Sequence, residues 1–371
     1  MKHLLGISGG KDSAALAVYM AQNYPELNIE YYTCDTGKEL KETYELIDRL
    51  ESVLGKKVVK YENYNSELST ESNAFDHFLS SYGHYLPSAQ ARWCTKKMKL
   101  EPFELNVSDE PTISYVGIRG DENREGYISK KQNIQTIFPF RRNIWSADVL
   151  ELVFSEQYFK VFEAHFLENT PTNEFQICQQ VLSENLTETY TYQLKCERIL
   201  DLSVSRFNHA VHTVLKLTDY PVGKLEHYGL LDKTDILKID DIYRILDDSG
   251  VGIPAYYLPV EFEVEIDGVL KKGSYSRSRS GCFFCFYQQK IEWVWLLEQH
   301  PELFKQAKDY EKDGFTWSEE PLSELEKPER VKFIKKDYIQ RVERKNKLDS
   351  GMNWKDEILN SEGFGCSTCF I

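Results

Sequence analysis

Short apolar runs alternate with stretches of helical spacing through the first part of the chain. Leu4-Leu5-Gly6-Ile7 has the pattern of a short buried strand, and Ala14 to Gln22 carries apolar residues on one helical face. Asn28 to Thr33 (NIEYYT) is rich in β-formers, and Glu39 to Leu54 then spaces Leu40, Tyr44, Ile47, Leu50 and Leu54 as a helix would. Lys57 to Tyr61 (KVVKY) predicts another strand, Ala74 to Ser81 a helix, and Thr112 to Ile118 (TISYVGI) a further strand. Strands alternating with helices predict a doubly wound α/β fold, a mostly parallel sheet with helices on both faces. Such sheets bind ligands beyond the carboxyl ends of their strands. The polar groups at 8–13, 35–37 and 119–124 all fall just past such an end.

After TIFPFRRNIW the rhythm is lost. From Ser155 to Tyr228 the chain is aromatic, glutamate-rich and mixed in helix and strand signals, which predicts an inserted α+β subdomain. Helical spacing returns over Lys238 to Asp248, and Gly250 to Pro259 is turn-rich. Glu261 to Leu270, followed by Lys271-Lys272-Gly273, reads as a hairpin, and a cysteine knuckle then runs into helices. The expected division is a nucleotide-binding α/β domain over 1–150, an insert over 151–235, and a cysteine-containing, largely helical region over 236–371.

The joint between the first strand and helix is Ser8-Gly9-Gly10-Lys11-Asp12-Ser13. Glycines let the backbone approach a bulky anion, and the first-turn amides of a helix point unpaired N–H groups at it. Ser8 and Ser13 add hydroxyls and Lys11 a positive charge, so the hexapeptide reads as a phosphate cradle. It is not the Walker A loop, because its glycines are adjacent and the acidic Asp12 follows the lysine. Asp35-Thr36-Gly37, with Glu39 after it, would by itself be a helix cap. One strand–helix unit beyond the cradle, its carboxylate suits ribose hydroxyls or Mg²⁺. Arg119, Asp121, Glu122 and Arg124 share one loop; the arginines suit phosphate and the acids an accompanying Mg²⁺.

Composition narrows the setting. Hydrophobic residues at 41% and charged residues at 28% are ordinary for a globular chain, and no apolar run approaches the ~18 residues of a membrane span. The N-terminus enters a strand without a basic-then-apolar leader, so cytoplasmic residence is expected. A net charge of −14 argues against a protein that grips long nucleic acid alone. The basic stretches Lys96-Lys97-Met98-Lys99, Arg141-Arg142 and Arg330 to Lys347 read as solvated faces. The scattered histidines read as structural.

Of eight cysteines, Cys282-Phe-Phe-Cys285 and Cys366-Ser-Thr-Cys369 form two C-x-x-C pairs, and Cys94 sits in ARWCTKKMK. Two-residue spacing lets both thiolates of a pair reach one metal, either tetrahedral Zn²⁺ or iron in an iron-sulfur cluster. The tail pair is alternatively a mobile thiol relay. Cys34, Cys178 and Cys196 stand alone and read as buried thiols. The stretch SYSRSRSG (274–281), before the knuckle, would suit a backbone phosphate or be a plain hairpin exit.

SGGKDS is similar to the PP-loop of the ATP pyrophosphatases (adenine nucleotide α-hydrolases). DTGKELKET and GIRGDENREG resemble the second motif and the G-I/V-R-x-D/E-E-x-x-R stretch of the phosphoadenosine phosphosulfate (PAPS) reductase-like family. RWCT and RSGCFFC together resemble its branch containing the DndC and SspD proteins of DNA phosphorothioation. The resemblance implies an enzyme that binds ATP with Ser8, Gly9, Gly10, Lys11, Asp12 and Ser13, assisted by Asp35, Thr36, Gly37, Asp121, Glu122 and Mg²⁺. Lys11, Asp12, Arg119 and Arg124 would be catalytic. Cys94, Cys282 and Cys285, with Cys366 or Cys369 as a possible fourth ligand, would hold an iron-sulfur cluster, 4Fe-4S favoured over Zn²⁺. It also implies a cysteine desulfurase as sulfur donor, other subunits of a DNA-modification complex, and DNA bound through those partners. The alternatives are a thiol-dependent reductase of PAPS or its unphosphorylated analogue, and a nucleotide-sensing subunit of a defence complex. The tail lacks the E-C-G-L-H ending of true PAPS reductases, which counts against the reductase.

Overall fold

The structure is a computed structural model that describes residues 1–63, 73–122 and 124–348. Its centre is a five-stranded sheet of β1 (Lys2–Gly6), β2 (Ile29–Thr33), β3 (Val58–Lys60), β4 (Thr112–Tyr115) and β5 (Ile134–Ile137). The order is β3-β2-β1-β4-β5 and every pairing is parallel. Strand order reverses at β1, so the loops leaving β1 and β4 diverge from neighbouring strands and open a crevice between them. The doubly wound α/β expectation is met. β5 was not foreseen: its four residues, IQTI, are too few to show a period.

Side chains alternate across the sheet with the two-residue strand period. Leu5, Tyr31, Ile113 and Tyr115 enter the larger core, which also takes α1 (Lys11–Asn23) and the apolar stripe of α2 (Lys41–Leu54). Leu4, Tyr32 and Ile134 point the other way, toward Phe103 and Val107. Ala14, Ala15, Leu16, Ala17 and Val18 of α1 are all buried, because α1 is sandwiched between the sheet, α2 and a later helix. Past β3 come α3 (Ala74–Ser81) and a helical run that begins as α4 (Trp93–Thr95), widens into a π-turn over Lys96–Leu100 and continues as α5 (Glu101–Asn106).

Within 151–235 the described elements are helices: the end of α6 (Ala147–Val153), then α7 (Phe159–Glu168), α8 (Phe175–Ser183), α9 (Tyr192–Leu202) and α10 (Val204–Leu215), followed by two 3₁₀ turns. The expected α+β mixture is therefore corrected to α. Its aromatic residues form a stack rather than strand pairs, with Phe154, Phe159, Phe162, Phe166 and Phe207 in mutual ring contact. These helices share one continuous core with the sheet.

His212 is buried in α10, with Nε2 3.1 Å from the Val222 carbonyl and 3.0 Å from that of Leu225. Burial and then Lys216 hold its pKa below 6.5, against the pull of the two carbonyls. The unfolded chain therefore binds a proton near pH 6.5 that the folded chain refuses, and stability falls as pH drops through and below that value. Urea unfolding at pH 7.5 and 5.5 should show a smaller acid loss in His212→Gln than in the wild type. Equal losses would assign the acid sensitivity to other groups.

The C-terminal part comprises α11 (Ile239–Asp248), the antiparallel hairpin β6 (Val260–Ile266) and β7 (Val269–Tyr275), then α12 (Lys290–Gln299), α13 (Pro301–Asp309), α14 (Leu322–Leu325) and α15 (Pro328–Leu348). The hairpin turns at Asp267-Gly268, both at positive φ, earlier than expected from the sequence. Asp-Gly is a pairing that suits such a two-residue turn. Phe262, Trp293, Trp295 and Trp317 build a second core that reaches across to Leu40, Phe75 and Trp93, fastening this region to the loops after β2 and β3.

Candidate nucleotide and cysteine site

The chain leaves β1 through Gly9, at φ +72°, and Gly10 stands as the N-cap of α1 without a side-chain cap. The first-turn amides of α1 are thus left for another acceptor. Ser13 Oγ lies 3.1 Å from Ser8 Oγ and 3.2 Å from the Ser8 N–H, and donates to the Gly10 carbonyl at 3.2 Å. These bonds tie the loop to its helix. Two tyrosines complete it: Tyr256 donates to the Gly9 carbonyl at 2.9 Å, and Lys11 Nζ lies 4.6 Å from the centre of the Tyr257 ring. A Cβ at Gly10 would fall 2.7 Å from Ser280 Oγ and 3.2 Å from the Tyr257 hydroxyl.

Arg119, leaving β4, is wholly buried beside this loop. Its Nη1 donates to Asp12 Oδ1 at 2.6 Å, Nε to Asp121 Oδ1 at 3.0 Å, and Nη2 pairs with Glu122 Oε1 at 2.8 Å. Burial would raise the Asp12 carboxyl, but Arg119 and then Lys11 outweigh it and hold Asp12 below the ordinary carboxylate range. Asp121 also accepts the Ile239 N–H at 3.2 Å, at the head of α11. Arg124 donates to Glu122, and Arg141 to the Arg124 carbonyl. The sequence suggested that Arg119 and Arg124 meet substrate and that Asp121 and Glu122 meet Mg²⁺; in this structure the four pair with one another, and Arg119 also reaches Asp12.

Past β2, Asp35 accepts the Gly37 N–H at 2.7 Å and the Tyr44 hydroxyl at 2.9 Å, and Lys60 lies 3.0 Å away. Against its burial, the hydrogen bonds from Glu39, Gly37 and Lys60 keep Asp35 below its usual range. Burial and the Asp35 charge push Glu39 up to about 7, so as pH falls Glu39 takes up a proton before Asp35 does. Thr36 Oγ1 donates to Glu39 Oε1 at 2.7 Å and lies 3.1 Å from Cys282 Sγ. The knuckle is stitched to this loop by an isolated bridge between Glu39 and Cys282, and by the Phe283 N–H on the Lys38 carbonyl at 2.9 Å.

Cys94, Cys282 and Cys285, remote in sequence, line one cavity of about 40 Å³ together with Thr36, Lys99, Ser280 and Phe284. None of the three is in a disulfide among the described residues, and burial, followed by Glu39, drives the Cys282 thiol well above its normal range. The donors are chemically suited to a soft metal. As the side chains stand, however, no three metal-binding groups among the described residues converge on one ion position. Cys366 and Cys369 lie outside the described residues. Cys34, Cys178 and Cys196 are buried, as expected of lone core thiols.

Sequence reasoning missed Tyr256 and Tyr257, because nothing in their own neighbourhood marks them. Ser280 was within the SYSRSRSG stretch already singled out, but its partner, Gly10, emerged only on folding.

Residues 2–145 match the family model described as the phosphoadenosine phosphosulfate reductase domain. The chain is 28% identical over 178 residues to the uncharacterized protein MJ0066 of Methanocaldococcus jannaschii, covering 44% of this chain and 34% of that protein. It is 27% identical over 169 residues to the uncharacterized protein MJ0973 of the same organism, covering 42% and 38%. The similarity thus spans between a third and two fifths of those relatives' own length. No solved structure matches. Among the described residues no helix is long and apolar enough to cross a membrane. Residues 2–145 are thus similar to the phosphoadenosine phosphosulfate reductase domain, and the parallel sheet with its loop beyond β1 is consistent with a PP-loop nucleotide-binding fold.

Proposed function

We propose that this chain is an ATP pyrophosphatase that adenylates an acceptor for sulfur insertion. The observation that carries the reading is the uncapped start of α1 at SGGKDS, joined through Ser280 to a cavity lined by three thiols. An acceptor oxygen would attack the α-phosphorus while the bond to the α,β-bridging oxygen breaks. Pyrophosphate leaves with that electron pair, and a sulfur nucleophile then displaces AMP from the adenylated acceptor. Lys11 and the first amides of α1 would stabilise the charge growing on the β,γ-phosphates, a matter of preset electrostatics rather than covalent chemistry. Mg²⁺ would travel with ATP, with Asp12 or Asp35 nearby.

The acceptor in this reading is a DNA backbone phosphate, from the likeness of RWCT and RSGCFFC to the phosphorothioation branch. A cysteine desulfurase would supply sulfur, and other subunits would hold most of the DNA, consistent with the acidic chain. Cys94, Cys282 and Cys285 are the residues that would hold an iron-sulfur cluster. The family match over residues 2–145 favours one rival, a thiol-dependent PAPS reductase.

The test is pyrophosphate release from ATP by anaerobically purified protein beside Lys11→Ala and Cys94→Ser, with absorbance spectra and a PAPS-reduction assay. Release that falls in Lys11→Ala, with a brown chromophore lost in Cys94→Ser, supports the proposal. A colourless protein that spares ATP and releases sulfite from PAPS would replace it with the reductase. Binding of ATP without either reaction would leave a nucleotide sensor.

A further inference from the structure

Arg277 and Arg119 are equally buried, each 0% exposed, yet their surroundings differ in charge. Arg119 has three carboxylates. Arg277 Nη2 donates to the Cys282 carbonyl at 3.0 Å, and the Tyr256 ring lies 6.0 Å from its guanidinium carbon. Its Nε and Nη1, both sealed from solvent, have no hydrogen-bond partner among the described residues. Buried guanidinium groups are normally matched by an anion, because desolvating an unmatched charge is costly.

The position of Arg277 indicates where that anion would come from. Its N–H donates to the Tyr256 carbonyl at 2.8 Å, and the Tyr256 hydroxyl bonds Gly9. Ser280, three residues on, sits against Gly10, while Ser280, Gly281 and Cys282 line the thiol cavity. The strap from Arg277 to Cys282 therefore runs between the phosphate cradle and the cysteines. We propose that Arg277 is a second cation of the phosphate site, pairing with the phosphoryl chain of a nucleotide seated on SGGKDS. The assignment rests on the ATP-binding reading above. Since the guanidinium is sealed, the strap must shift to admit the ligand. Gly281, within the strap, stands at φ +111°, a conformation that glycine adopts without strain, and no described atom lies within 4 Å of where a Cβ would sit.

A purely structural account has its own candidate. Glu42 Oε2 is also buried without a hydrogen-bond partner among the described residues, and Glu42 and Arg277 both act on His300. A water linking Arg277 to Glu42 would make the arginine a brace.

Calorimetric titration of inorganic pyrophosphate and of ATP into the full chain separates the two, alongside thermal unfolding without ligand. The variants are Lys11→Ala, Arg277→Met and Arg277→Lys. Loss of charge-assisted contacts should weaken both ligands at least about tenfold in Arg277→Met. The ligand-free unfolding midpoint should stay level or rise, since an unmatched buried charge is gone. Unchanged affinity in Arg277→Met, with or without a lower midpoint, would overturn the proposal and leave the brace. If Arg277→Met does not fold, Arg277→Lys decides: weaker pyrophosphate binding supports the phosphate role, and wild-type binding overturns it. Should the wild type bind neither ligand, the ATP reading itself falls. Binding lost in Lys11→Ala but intact in the Arg277 variants removes this inference alone.

Discussion

Arg119→Ala should destabilise the protein by about 3–5 kcal/mol, the range for removing one partner from a buried ion pair. The guanidinium is the common counter-ion of Asp12, Asp121 and Glu122, which arrive from two different strand ends. Without it, Asp12 is left with Lys11, 3.6 Å away, and the more distant Arg124, while Glu122 keeps Arg124. Arg119→Lys should recover little, because an ammonium cannot present three differently directed nitrogens to three carboxyls. Urea unfolding measures the loss directly. The deficit should shrink from pH 7.5 to pH 5, since the orphaned carboxyls then take up protons and shed their buried charge. An Arg119→Ala protein as stable as the wild type would show that these carboxylates are satisfied by water, and that the ion-pair cluster is not what fixes Asp12.

Gly9→Ala should cost about 2–5 kcal/mol and remove nucleotide binding by moving the cradle. Two separate terms add. An L-residue held at φ +72° costs about 1–2 kcal/mol. A Cβ there would also lie 2.2 Å from Thr43 Cγ2, an overlap that α2 must relieve by shifting, at about 1–3 kcal/mol. The double variant Gly9→Ala/Thr43→Ser separates them, because serine deletes the methyl that clashes and leaves the backbone term. Partial recovery of stability, with binding still impaired, is expected. Full recovery would mean that the left-handed conformation is not required.

Much of this molecule was legible in local sequence. The strand–helix rhythm and SGGKDS identified a parallel sheet with a phosphate cradle because period, glycine conformation and helix-start chemistry are properties of a few adjacent residues. The insert misled for a physical reason: its aromatics favour strands when read alone, but here they stack across α7 and α10. The hairpin turn was misplaced because lysine-lysine-glycine looked like the break, while Asp267-Gly268 supplied the conformation that a tight turn demands. Cys94 and the 282–285 pair were chosen for their chemistry. Their shared cavity depends on α4 packing against the knuckle through the ring contacts of Phe75 with Trp93 and Phe284.

By itself, then, the sequence determined the strand–helix alternation of the first part of the chain, where an anion-accepting backbone stands, and which thiols are paired by spacing. The tertiary structure alone decided which charges meet. Arg119 reads like a phosphate ligand in GIRGDENREG, but between β1 and β4 it is buried and must be neutralised, so three carboxylates surround it. Arg277 reads like one charge among several in SYSRSRSG, yet folding buries it with two of its nitrogens unpartnered among the described residues. The difference lies in desolvation: a charge in the linear chain keeps its water, whereas the fold strips that water away and decides what replaces it.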